Sequence, residues 1–176
     1  MTRKLKLEEL NRVDVATYKR QIKHPVVLVL DNIRSAINVG SVFRTADAFS
    51  IKKILLVGIT PVPPHVDITK SAIGATKSVD YEYHEDIKSS LKRLGTEGMK
   101  IVGLEQTSTS TDLTSHAWDE KVAIVIGNEV NGISDEALPF IDTFVEIPQF
   151  GTKHSLNVSV ATGIILWDYM KQVLKK

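Results

Sequence analysis

The chain has 176 residues, 43% of them hydrophobic and 24% charged, enough for one compact domain to bury a core without metal or disulfide staples. It contains no cysteine, which excludes disulfides, thiolate metal sites and cysteine nucleophiles, and fits a reducing compartment such as the cytoplasm. The net charge of +1 is too small for a long-range field, so any nucleic-acid contact must come from local basic patches.

Residues 1–24 read as a short basic extension, and 25–176 as the domain proper. Residues 1–25 carry seven Lys or Arg against three acids, and the chain ends in Lys171, Lys175 and Lys176; these termini are either solvated or in contact with RNA. Met1–Glu9 lacks an apolar signal core, and the longest aliphatic run, Val26–Leu30, is far short of a membrane span. Residues 7–22 predict a short helix with Leu7, Leu10 and Val13 on one face.

The all-apolar run Pro25–Asp31 reads as a buried parallel strand. Val39, Val42, Phe43 and Ala46 then recur at helical spacing over Val39–Phe49, followed by a second strand at Lys53–Gly58. Thr60–Pro64 is a proline-rich loop, and the stretch after it is weakly patterned. Ile87, Leu91 and Leu94 mark a helix that stops near Gly95 and Gly98, before a third strand at Ile101–Leu104. The Ser/Thr-rich stretch Ser108–Ser115 is expected to be a surface loop. Lys121–Gly127 is a fourth strand; a short helix at Asp135–Phe140 and a strand at Thr143–Ile147 follow. This alternation predicts an α/β fold with a mainly parallel sheet and helices on both faces.

The last helix, about Leu156–Leu174, is apolar nearly all round. Either it is buried centrally, or one side packs on the core and the other on a partner, as in a homodimer.

Ligands in parallel sheets bind beyond the carboxyl ends of strands, where three polar clusters lie: Asp31–Arg44, Gly127–Gly132 and Pro148–Ser159. Nucleotide-binding glycine fingerprints and a Gly-x-Ser-x-Gly elbow are missing. The histidines (His24, His65, His84, His116, His154) have no metal-ligand spacing, so no metal is expected. Asn38, just ahead of the periodic run, is either a helix N-cap or a site residue. Gly40 permits a close approach by backbone or ligand. Arg44 lies off the apolar stripe, as a solvated charge or a bidentate phosphate contact. Glu129 is a turn acid or a site acid, and Ser155, Asn157 and Ser159 exceed what one cap needs.

Three segments together resemble the motifs of the SpoU (TrmH-like) RNA 2′-O-methyltransferases of the SPOUT superfamily. They are Leu30–Phe49 (LDNIRSAINVGSVFRTADAF), Val125–Ser134 (VIGNEVNGIS) and Glu146–Ala161 (EIPQFGTKHSLNVSVA), in the family's order and spacing. The resemblance covers roughly residues 25–172, with Gln149 where the third motif usually has Met. It implies a C-terminal trefoil knot, which base rates alone would never propose. It also implies S-adenosylmethionine as methyl donor, no metal, and an active site formed across a homodimer. Carried over by motif, Asn38, Arg44, Glu129, Ser155 and Asn157 would be catalytic, while Leu104, Gly127, Ile147, Ser155 and Leu156 would hold the cofactor. In the family's mechanism Arg44 contacts RNA phosphate and helps activate the hydroxyl; a permanently protonated guanidinium suits the first role better than that of a base. The substrate expected is structured RNA. The short extension favours tRNA over rRNA, because rRNA-modifying members often carry a larger N-terminal RNA-binding domain. A non-catalytic RNA-binding or assembly factor of the same fold is the alternative from another class, and an ordinary small-molecule enzyme explains the strands but not the three clusters.

Overall fold

The computed structural model describes residues 2–174; the Lys175–Lys176 end of the basic terminus and the side chain of Leu7 lie outside the described set. Seven described strands run β1 (His24–Asp31), β2 (Ile51–Val57), β3 (Tyr81–His84), β4 (Lys100–Leu104), β5 (Thr111–Asp112), β6 (Val122–Ile126) and β7 (Thr143–Glu146). The helices are α1 (Val15–Arg20), α2 (Ala36–Ala48), α3 (Val66–Ala72), α4 (Ile87–Thr96) and α5 (Val158–Val173).

The strands form one sheet in the order β3-β2-β1-β6-β4-β7-β5, with every pairing parallel. Successive side chains on a strand point to opposite faces, which explains why β1 and β6 carry no polar alternation. Val26, Leu28, Leu30, Val122, Ile124 and Ile126 pack into a core shared with Val39 and Phe43 of α2 and Ile165 and Tyr169 of α5. Val27, Val29, Ala123 and Val125 point the other way, against Ile87, Leu91 and Leu94 of α4. Both faces are dry, so each strand position is apolar.

Four local expectations need correction. Residues 7–22 form a 3₁₀ turn at Leu7–Leu10 and the short α1, with Leu10 and Val13 exposed. The weakly patterned stretch holds α3 and β3; α3 buries only Ile68 and Ala72, and β3 is a sheet edge, so neither prints a clear period. Within the Ser/Thr-rich stretch, Thr111–Asp112 pairs with β7 and Leu113 is buried. At Asp135–Phe140 only a 3₁₀ turn forms, Leu138–Phe140, with Pro139 unable to donate a backbone hydrogen bond.

Gly40 serves packing: a Cβ there would sit 2.6 Å from the Ile68 carbonyl, so α2 and α3 touch backbone to backbone. On α5, Ile165, Leu166, Tyr169 and Met170 face the core. Trp118 Nε1 donates to Asp168 Oδ2 (3.0 Å) and Tyr169 OH to the Glu120 carbonyl (2.9 Å), which fixes the rotation of the helix. The opposite stripe, Val160, Ile164 and Trp167, remains 51%, 38% and 52% exposed. Among the described residues no helix is long and apolar enough to cross a membrane.

Candidate functional site

The sheet order reverses between β1 and β6, which opens a crevice beyond their carboxyl ends. The loop after β6 is built to enter it. Asn128 and Gly132 exchange backbone hydrogen bonds at 2.9 Å, while Asn128 Oδ1 accepts from the N–H groups of Val130 and Asn131. Asn128 Nδ2 donates to the Asn32 carbonyl (2.6 Å), and the fully buried Asp31 accepts from the Ser134 N–H (2.8 Å), pinning the loop to the end of β1. A Cβ on Gly127 would lie 2.2 Å from Gly132 C, so this position needs glycine for the loop itself, whatever binds beside it.

The loop delivers Glu129 to the start of α2. Its carboxylate accepts from the N–H groups of Arg34 (2.9 Å) and Ser35 (3.1 Å) and from Asn38 Nδ2 (3.0 Å). Ser35 is the α2 N-cap, accepting from the Asn38 N–H, so Asn38 is not the cap and its amide is free for Glu129. Asn38 Oδ1 in turn accepts from Asn157 Nδ2 at 3.2 Å. Asn157 caps α5, its Oδ1 accepting from the Ser159 and Val160 N–H groups. Glu129, Asn38 and Asn157 thus form one chain of hydrogen bonds joining three segments far apart in sequence.

Burial pushes the Glu129 carboxyl pKa up, but the donors from Arg34, Asn38 and Ser35 outweigh it and hold the value below the ordinary 4.5. A carboxylate stabilised in this way, already accepting three hydrogen bonds, is an anchor and a poor proton acceptor.

Beside the trio lies a cleft of about 520 Å³ at the ends of β4, β6 and β7, within the roughly 300–1,000 Å³ common for ligand sites. Leu104, Gly127, Ile147, Ser155 and Leu156 all line it, together with Glu129 and Asn157. Arg44 does not. Six residues separate it from Asn38, which turns it to another face of α2 and carries it about 9 Å along the axis. Asn38 and Arg44 therefore do not form a pair on one wall of a single chain's cleft; Arg44 is exposed, without an acidic partner among the described residues. Sequence reading passed over Glu105, Gln106, Glu146 and His154, which also line the cleft. The rule that ligands gather beyond strand ends pointed to them, since Glu105 and Gln106 directly follow β4 and Glu146 ends β7.

An all-parallel sheet with a partly apolar cleft at its carboxyl edge defines a ligand-binding α/β domain. The chain matches the SpoU rRNA Methylase family over residues 25–167, and it belongs to that family. It is 32% identical over 152 residues to the 23S rRNA (guanosine-2′-O-)-methyltransferase RlmB of Neisseria meningitidis serogroup B, which covers 86% of this chain and 60% of the relative. The chain therefore spans about three-fifths of that relative's length. Among solved structures, the A. aeolicus TrmH/SpoU tRNA modifying enzyme superposes with a TM-score of 0.81 at 26% identity, covering 92% of this chain and 83% of its own. The AdoMet-bound rRNA methyltransferase from Sinorhizobium meliloti gives 0.79 at 25% identity, covering 86% and 58%.

The residues present suit S-adenosylmethionine. Leu104, Ile126, Ile147, Leu156 and Val158 offer an apolar wall for an adenine, and the carboxylates of Glu105, Glu129 and Glu146 complement a cationic sulfonium and ammonium. Among the described residues no cluster of three His, Asp or Glu side chains is arranged to hold a metal ion.

Proposed function

We propose that this protein transfers a methyl group from S-adenosylmethionine to a ribose 2′-hydroxyl of RNA, with ribosomal RNA the favoured substrate. One observation carries the reading: the Glu129–Asn38–Asn157 chain of hydrogen bonds stands at the edge of a cleft that suits the methyl donor. The meningococcal relative, named for 23S rRNA, outweighs the tRNA preference drawn from the short N-terminal extension.

When bound, S-adenosylmethionine supplies an activated methyl group, so the protein's work is to place the hydroxyl in line and let one proton leave. Asn38 and Glu129 are engaged with each other and do not take that proton. They set the start of α2, and with it the angle of the helix that carries Arg44. Arg44 grips the RNA phosphate flanking the target ribose, a role suited to a fixed positive fork.

We read the cleft as completed by a second copy of the chain. Arg44 lies seven residues from Ile37, on the same face of α2, and Ile37 is 59% exposed. Phe49, the residue after α2, lies near Trp167 of α5 with ring centroids 6.2 Å apart, which places the C-terminal end of α2 beside the exposed Val160–Ile164–Trp167 stripe. Apolar burial between copies would bring Arg44 of one to the cleft of the other. The extension fits an RNA-contacting role: Tyr18 OH anchors α1 to the Asp47 carbonyl (3.0 Å), while Lys4, Lys6, Arg12 and Arg20 stay exposed. Salt titration of RNA binding with residues 1–13 removed tests that role, and an unchanged slope removes it. The passage from β7 into α5, running past residues 104–106 and 127–132, is read as the threaded part of a trefoil knot. Pulling the chain by its ends should leave it shorter than an unknotted 176-residue contour.

Calorimetry with S-adenosylmethionine, followed by methylation assays on 23S rRNA and total tRNA, tests the proposal. Saturable binding with methylation of rRNA supports it; binding without methylation of either RNA would instead mark a non-catalytic binder.

A further inference from the structure

The segment between β7 and α5 carries Gln149, His154, Ser155 and Leu156 into the cleft, yet it is almost unattached. Among the described residues, 148–156 make one hydrogen bond: Gln106 Nε2 donates to the His154 carbonyl at 3.1 Å. Eight residues in a row, Phe150–Asn157, are exposed, and Ser155 has no hydrogen-bond partner of its own there. The strap is held at its ends by β7 and by the Asn157 cap, and at one point between.

That point is firmly based. Glu105 N–H donates to the Val145 carbonyl (3.0 Å), and the Glu105 carboxylate accepts from both the Gln106 N–H (3.0 Å) and the Ile133 N–H (3.0 Å). Gly132, at φ +70°, lies so close that a Cβ would meet Glu105 Oε2 at 2.2 Å. The backbone of Gln106 is thus fixed to the neighbouring strand and to the loop after β6, while its amide reaches across the cleft to the strap.

We propose that Gln106 is a positioning residue, a latch whose amide holds the 148–156 strap over the cofactor and so sets how tightly S-adenosylmethionine is kept and how fast the spent cofactor leaves. This rests on the cofactor reading of the cleft. An exposed neutral hydrogen bond is worth about 0.5–1.5 kcal/mol, so losing the latch weakens cofactor binding about 2- to 10-fold. The donor is what matters: a glutamate has the same shape but offers its neighbour only acceptor oxygens when ionised.

The test compares wild type, Gln106→Ala and Gln106→Glu by calorimetry with S-adenosylmethionine and by ¹⁵N backbone relaxation without ligand. The latch predicts that both variants bind the cofactor about 2- to 10-fold more weakly. Backbone order parameters from ¹⁵N relaxation should fall in 149–156 but not in β1 or β6, with Tm unchanged. In turnover, KM for the cofactor should rise while KM for RNA stays the same. Wild-type affinity and strap order parameters in both variants would overturn the proposal, as would loss in Gln106→Ala with full retention in Gln106→Glu, which would point to packing. Failure of the wild type itself to bind S-adenosylmethionine contradicts the function proposed above, and the ligand-free relaxation comparison then still decides whether Gln106 holds the strap.

Discussion

In the proposed reaction Glu129 and Asn38 act through what they hold. Replacing Glu129 by Gln keeps the shape but puts an N–H₂ where one of the two acceptor oxygens stood, facing the N–H of either Arg34 or Ser35. Methylation should fall at least about 10-fold, the equivalent of ~1.4 kcal/mol, with the start of α2 exchanging faster. An unchanged rate would show that the carboxylate is incidental. Because the folded pKa of Glu129 lies below 4.5, its stabilising effect is complete above that value and fades as the pH falls through the lower folded value. Cofactor affinity should therefore be flat around neutrality and drop only below about pH 4.5. Arg44 differs, since nothing in the fold depends on it. Arg44→Ala should leave Tm and S-adenosylmethionine affinity intact while cutting methylation about 100-fold or more, as loss of a preorganised charged contact does. Arg44→Lys should rescue poorly, lacking the planar fork.

The elements show what pattern can and cannot reveal. β1, β6, α2 and α5 were legible because burial on both faces of a sheet, or along a helix, leaves continuous or periodic apolar runs. The edge was not: β3 has no fully buried residue, and its order comes from side-chain charges. Glu82 there accepts from Lys53 and from Arg93 Nη2 (2.8 Å) and lies 3.1 Å from His84, which holds its pKa at about 2. With the folded value depressed, this network stabilises fully above the ordinary 4.5 and is lost as pH falls toward about 2. The Tm difference between wild type and Glu82→Gln should be largest near neutral pH and vanish near pH 2; a constant gap would show that the charge is irrelevant. The site was legible only in part. Residue types and order pointed to Glu129 and Asn157, which line the cleft, but that Ser35 and not Asn38 caps α2 depends on one turn of backbone. Gln106 carried no local pattern at all, because its partner is a carbonyl 48 residues away.

At the scale of the whole molecule, α5 links core and surface. One side is locked to the body through Trp118 and Tyr169, and the other leaves Val160, Ile164 and Trp167 in water. In the proposed dimer this stripe is the interface, so Trp167→Glu should leave a monomer in sedimentation and abolish methylation while the chain keeps its fold; a wild-type sedimentation coefficient would remove this face as the interface. Mixing Arg44→Ala chains with Asn157→Ala chains should restore activity in the heterodimer, because one of its two clefts then has every part. The central claim, methyl transfer to a ribose oxygen at the Glu129–Asn38–Asn157 cleft, is tested most directly on the product. RNA treated with the protein and methyl-labelled S-adenosylmethionine, digested to nucleosides and resolved by mass spectrometry, should carry the label on a 2′-O-methylated nucleoside, and the Arg44→Ala protein should leave it unlabelled. Label on a base, or none in any RNA from cells lacking the gene, would contradict it.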